Sequence, residues 1–286
     1  MQDHTGMSEP TAETPWPTQW SQPSTMRAAA IVLFFVVFGC VGLAAGASVF
    51  FPGPIDSRAY FLGLGAPLLF GFAAVIFYTR LRVRGRSSAS VHTHSVDGQP
   101  GLMIPYSRGL ARSYLVMCVT AFGVFVFVAV VTSIVVASDP NVVMVITMVV
   151  CLGFAGYLGW TLVEMGQKRL LRGHVVLTQQ GVWHRSWAFE SYQPWDDTAS
   201  VSPGDMEGQL ITLARVTNSQ PHIVRRSRLW KQPEYKLAPH TAIKGMYLAV
   251  NPALALNALR FYHENPAARA ELGTEAGVRR VRAGAV

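Results

Sequence analysis

Four long apolar runs decide which solvent this chain folds in. They are Met26–Phe51, Ala59–Thr79, Ser113–Ala137 and Val142–Val163. Each spans ~20 residues or more, the length an α-helix needs to cross a hydrocarbon core of roughly 30 Å. The runs are apolar on every side, unlike the one-sided helices of a soluble domain. Composition agrees: 50% of the residues are hydrophobic and 14% charged, against about a quarter charged in soluble domains. A cleaved leader is a poorer account of the first run, which is too long and has only Arg27 before it. Phe38 likewise spoils a lipobox at Cys40.

Basic residues orient the spans. Arg27 precedes the first, Arg80, Arg82, Arg84 and Arg86 follow the second, Arg108 and Arg112 precede the third, and Lys168, Arg169 and Arg172 follow the fourth. The tight connections FPGPIDSR and SDPN hold only Arg58. The expectation is two helical hairpins in the cell membrane, with both termini and the middle loop cytoplasmic. The net charge of +8 lies mostly on that side, where it suits anionic headgroups but is already accounted for by topology. Nothing calls for nucleic acid.

The spans hold no Asp, Glu or His, and no Lys or Arg beyond the terminal Arg27. Ion coupling and proton relays need ionisable groups at depth, so transport and intramembrane chemistry are disfavoured. Cys40, Cys118 and Cys151 lie inside spans without ligand spacing and read as small packing residues. Gly42 and Gly46 form a GxxxG pair suited to close helix packing and, more weakly, to a homo-oligomer.

Between the spans the chain changes character. Residues 1–25, with Trp16 and Trp20, show no period and read as a disordered tail. In the loop 80–112, SVHTHSV, the turn DGQPG and LMIPYS predict a β-hairpin. His92 and His94 share one face of it, a weak metal signal without a third ligand. From His174 onward short strands are predicted over HVVLT, VWHRSWAF, Ser191–Trp195, TASVSP, GQLITLARV, HIVRRS and GMYLAV. Asn251 and Pro252 then open an amphipathic helix, and the basic tail 273–286 is expected to fray.

The words Thr178-Gln179-Gln180-Gly181-Val182 and Pro194-Trp195-Asp196-Asp197-Thr198, with Val201 closing the second, resemble the T-x-x-G-V and P-W-D-D/E-I-x-x-V steps of bacterial PH-like domains. Thr198 departs from the usual aliphatic residue. With Leu102–Arg108 and Arg260–Leu272, the whole chain resembles actinobacterial four-span membrane proteins carrying such a cytoplasmic domain. The resemblance implies a fold class of membrane α + β: four transmembrane helices in two hairpins plus a C-terminal PH-like β-barrel capped by an α-helix. The expected divisions are a tail at 1–25, hairpins at 26–79 and 113–164, a loop at 80–112, the PH-like domain at 173–272 and a basic tail at 273–286. It implies protein interaction or membrane-associated assembly, not phosphoinositide binding.

Asp196 and Asp197 are adjacent, and neighbours on an extended strand face opposite ways, so they are poorly placed to share a substrate. With Trp187, Pro194 and Trp195 they read as fold markers: the indoles pack, and the carboxylates bond backbone N–H groups at a turn. No nucleophile elbow, HExxH, P-loop or CxxC motif occurs, and no cofactor or metal is expected. The best binding candidate is the basic stretch Arg225, Arg226, Arg228, Trp230 and Lys231, suited to an anionic leaflet or a partner's acidic face. The expected function is a non-enzymatic membrane scaffold for a membrane or cell-envelope protein. The alternative is a lipid-sensing or lipid-handling protein that touches headgroups through basic loops, with transport or membrane catalysis last.

Overall fold

The structure, a computed structural model, describes residues 15–20, 25–47, 57–139, 141–170, 173–206, 208–216, 219, 222–227, 230 and 232–286. The apolar runs are helices: α1 (Thr25–Ala47), α2 (Ser57–Ile76), α3 (Arg108–Ser138) and α4 (Val142–Gly166). Three of them, α1, α3 and α4, are long and apolar enough to cross a membrane. The 20 residues of α2 contain Pro67 and run on into a wide π turn over Phe77–Leu81. Residues such as Leu33, Phe34, Ile134, Val142 and Phe154 lie exposed along α1, α3 and α4. So large an apolar surface has to be covered, and lipid covers it. The helices pack in sequence, α1 on α2, α2 on α3 and α3 on α4. The GxxxG pair serves the first of these contacts: a Cβ on Gly63 would lie 2.8 Å from the Gly46 Cα and 3.7 Å from the Gly42 carbonyl. The small residues bring two helices of one chain together.

The hairpin between α2 and α3 forms as predicted, with β1 (His92–Val96) and β2 (Gln99–Pro105) paired around Asp97-Gly98. Both turn residues have positive φ, +49° and +77°, the two-residue turn that matches strand twist and favours Asp-Gly. What the sequence did not suggest is its partner. β2 pairs antiparallel with β3 (His174–Thr178), from Gly101 opposite Thr178 to Pro105 opposite His174. The loop is therefore not a separate unit at 80–112; it supplies two strands of a six-stranded sheet ordered β1-β2-β3-β4-β5-β8. β4 is Gly181–Arg185, β5 Phe189–Pro194 and β8 His222–Arg225. A second sheet orders β6 (Thr198–Asp205), β7 (Gln209–Arg215) and β9 (Thr241–Lys244). No strand pairing among the described residues closes the two sheets into a barrel.

Both sheets share one core with α5 (Pro252–Glu264). Leu102, Ile104, Leu177 and Val182 come from the large sheet, Ile211, Leu213 and Ile243 from the small one, and Leu256, Leu259 and Tyr262 from the helix. As predicted, Asn251 caps α5 by accepting from the Ala253 amide at 2.9 Å. The segment GMYLAV is not a strand: Gly245–Tyr247 is a 3-10 turn after β9. The glycine is needed there, because a Cβ would lie 2.7 Å from the Pro252 ring.

Both ends of the chain depart from expectation. The tail at 273–286 is helical over Glu275–Ala283 (α6), buries Val278 and Val281, and pairs Arg280 with Glu271 at 2.5 Å. Arg282 also donates to the Val91 carbonyl. In the segment expected to be disordered, Trp20 is 1% exposed and donates its indole N–H to the Leu210 carbonyl at 3.1 Å. Trp16 packs edge-on against Trp20 and beneath Arg84. A period search cannot detect two aromatic anchors that dock singly. Residues 1–14 and 21–24 of that segment lie outside the described residues.

Candidate membrane-facing interface

The fold markers fall at two places. Trp195 is buried and donates to the Thr178 carbonyl at 2.8 Å, tying the P-W-D-D step to the T-x-x-G-V turn. Asp196 and Asp197 sit in a turn after Pro194. Among the described residues the Asp197 carboxylate bonds no backbone N–H group, contrary to expectation; it accepts from the buried Arg215 guanidinium at 3.2 Å. Arg215 also bonds the Tyr192 and Pro239 carbonyls, so this pair staples strands together.

Trp187 has a different job. It stacks on Tyr247, ring centroids 4.3 Å apart, and meets Tyr114 of α3 edge-on at 4.9 Å. The turn between β4 and β5 is thereby pressed against the first turns of a membrane helix. Beside it, Arg185 donates to the Lys168 carbonyl just beyond α4 at 2.9 Å. Behind it lies Tyr106, whose hydroxyl is 2.7 Å from His184 Nε2. Burial pushes the His184 imidazole down to about 3 and the Tyr106 phenol well above its ordinary value, so both stay neutral and knit the junction without charge.

The basic stretch hangs from this same end, because the amides of Arg226 and Ser227 both donate to the Ala188 carbonyl. Arg225 lies 4.0 Å over the Tyr235 ring. Arg226 pairs with Glu190 at 2.5 Å, and Glu190 also takes Arg185 at 3.3 Å. That hydrogen bond raises the Arg226 pKa, keeping the guanidinium charged. Trp230 lines a hollow of about 270 Å³ with Arg225, Phe189 and Lys236. Arg228 and Lys231 lie outside the described residues. The predicted stretch thus has Arg225 and Arg226 held by the domain itself, next to the turn that touches α3.

A second basic cluster was read only as a topology signal. Arg82, Arg86, Arg108 and Arg112 line a cavity of about 630 Å³ where the end of α2, the β hairpin and the start of α3 meet. Arg86 is buried and donates to the carbonyls of Met246, Leu248 and Tyr78. Burial, then Arg82, lowers its pKa to about 10, so it remains a cation at neutral pH. Its signal in the sequence, one arginine among four, does not distinguish a buried clamp from a surface charge.

The outer face of the six-stranded sheet carries a groove of about 540 Å³ lined by His94, His174, Trp183, Glu190 and His222 among others. Trp183 stacks on Tyr192 with centroids 4.4 Å apart. Burial, then Arg185, pushes His174 down to about 4. Among the described residues no group of three or more His, Cys, Asp or Glu is placed to hold a metal; His94 meets His174, with His92 further along the strand. Against family models, curated proteins and solved structures alike, the chain finds no match, and its assignment rests on this geometry.

Proposed function

We propose that this is a four-span protein of the cell membrane, both termini cytoplasmic, acting as a scaffold rather than an enzyme. Its cytoplasmic domain, PH-like in its order of strands followed by a helix, is offered to a membrane or cell-envelope protein. The α2 segment is the fourth span in this reading: its 20 residues and the π turn that prolongs it provide the length.

One observation carries the proposal: the chain on the cytoplasmic side of every span is tied to the domain. Trp20, before α1, bonds Leu210; Arg86, after α2, bonds Met246 and Leu248; Tyr114, in α3, packs on Trp187; Lys168, after α4, accepts from Arg185. A domain fastened four times is held in one orientation, and its outer sheet groove is kept open at a set height above the bilayer. That suits a docking platform. The aromatic floor Trp183–Tyr192 and the Arg185–Glu190–Arg226 ion chain offer a partner an anchor and a polar rim.

Photocrosslinking in native membranes tests this. A photoreactive residue at His94 or at His222 should capture the same single protein, and Trp183→Ala should abolish capture at both. Capture of nothing, or capture unaffected by Trp183→Ala, refutes the platform. The lipid-sensing alternative is favoured by the basic stretch lying beside the turn that touches α3. Flotation of the full chain's vesicles cannot separate the two readings, but salt-dependent protection of Arg225 and Trp230 by anionic lipid can.

A further inference from the structure

We infer that the cavity between α2, the β hairpin and α3 binds the headgroup of an anionic phospholipid, one acyl chain of which lies in the adjoining groove between the helices. The inference rests on the reading that α1, α2 and α3 span a membrane, and it adds a ligand site that the scaffold reading does not require.

Charge comes first. Among the described residues the cavity is lined by four arginines and His92, and by no aspartate or glutamate. Arg86 is engaged by carbonyls, but Arg108 and Arg112 are exposed, and no hydrogen bond or ion pair holds either among the described residues. Both sit at the start of α3, whose first turn has no acidic residue. A cation there faces the positive end of the helix dipole. Arg108 and Arg112 are also four apart, on one face of the helix, where like charges repel. Arg82 adds a third exposed cation from the end of the π turn. A single phosphodiester among these groups would ease both conflicts and draw in Arg82 as well. The hydroxyl of Ser90, another lining residue, also lacks a hydrogen-bond partner.

Shape decides which phosphate. Tyr78, Gly109 and Arg112 line the basic cavity and also a second, mostly apolar hollow of about 420 Å³. That hollow runs along Phe70, Gly71 and Ala74 of α2 to Val116 of α3 and Leu43 of α1. Gly109 lets the two join closely, since a Cβ there would lie 2.6 Å from the Tyr78 ring. A cationic chamber at the helix ends that opens into an apolar trough between the helices has the polarity of a phospholipid along its length. A soluble phosphate would leave the trough unfilled.

The test uses the full chain in mild detergent, with native mass spectrometry counting retained phosphatidylglycerol and phosphatidylcholine. Wild type should retain phosphatidylglycerol in preference. Arg108→Gln with Arg112→Gln should weaken that retention about thirtyfold, from about fivefold per arginine near a headgroup. Ala74→Phe, which fills the trough and leaves the charges, should weaken retention of both lipids. Glycerol phosphate at millimolar concentration should displace nothing. Equal retention of the two lipids, or retention unchanged in both variants, overturns the inference; displacement by glycerol phosphate shows a soluble-anion site and overturns it too. Arg108 and Arg112 have no structural partner to lose, so the double variant should fold, and Ala74→Phe is an independent arm. Loss of lipid retention with crosslinking at His94 and His222 intact would leave the scaffold standing, whereas the reverse would leave only the lipid site.

Discussion

Arg86→Met should unfasten the strand-rich domain from the membrane helices. In the native chain the guanidinium bonds three carbonyls, those of Met246, Leu248 and Tyr78, joining the end of α2 to the turn after β9. Hydrogen bonds to a charged group contribute roughly 2 kcal/mol each, about 6 kcal/mol in all. Holding the charge there has a cost. Burial and Arg82 lower its pKa from the ordinary arginine value to about 10, which corresponds to about 3 kcal/mol against the cation. The net loss is therefore about 3 kcal/mol, since methionine fills similar volume but leaves the carbonyls without a donor. For a unit of this size that lowers Tm by about 6–12 °C, readable by tryptophan fluorescence of the full chain in detergent. Hydrogen exchange adds a local readout. The amides of Ser107 and Ala249, which bond the Tyr247 and Pro105 carbonyls across the same junction, should exchange faster while β7 is unchanged. A variant with wild-type Tm and unchanged exchange at Ser107 and Ala249 would refute the clamp.

Other perturbations follow from the same contacts. Gly181→Ala places a Cβ 2.5 Å from the Gln193 carbonyl and 2.8 Å from the Pro194 Cα; backbone cannot yield as a side chain can, so a loss of about 2 kcal/mol is expected by chemical denaturation. Trp20→Ala empties a buried site and removes the bond to Leu210, with an expected cost of about 3 kcal/mol and protease cleavage newly appearing near residue 20. The His184 pKa is depressed from 6.5 to about 3, so between these values the unfolded state binds the proton and the native state does not. Stability should be complete above pH 6.5 and fall by roughly 1 kcal/mol per pH unit below it. In His184→Gln the fall over that window should be shallower, and an identical profile would argue against the buried neutral imidazole.

The membrane helices were legible because length and apolarity are one-dimensional quantities. The hairpin was legible because alternation and an Asp-Gly turn are local. Its pairing with β3 was not, since strand partners far apart in the chain leave no mark in either segment alone. Trp20 and Arg86 were missed for a related reason. A single tryptophan in a polar tail, or one arginine among four, acquires its role from a cavity or a set of carbonyls supplied by distant chain. Trp195 packs in the core, whereas Asp197, expected on backbone amides, meets Arg215 of β7, which lies 18 residues away in the chain and is brought beside it only by strand pairing. The basic cavity had one readable clue: two arginines on the same face in the first turns of α3, with no acid to balance them. It was set aside because charge at a helix end also serves topology.

The central claim is that the loop between α2 and α3 and the chain after α4 form one domain on one side of the membrane, with the α3–α4 connection on the other. Cysteine accessibility tests it most directly. Cys40, Cys118 and Cys151 are replaced by alanine, single cysteines are placed at Ser95, His222 or Asn141, and a membrane-impermeant maleimide is applied to intact spheroplasts and to everted vesicles. The account predicts that Ser95→Cys and His222→Cys label only in everted vesicles and Asn141→Cys only in spheroplasts. Labelling of Ser95→Cys and His222→Cys from opposite sides would contradict it.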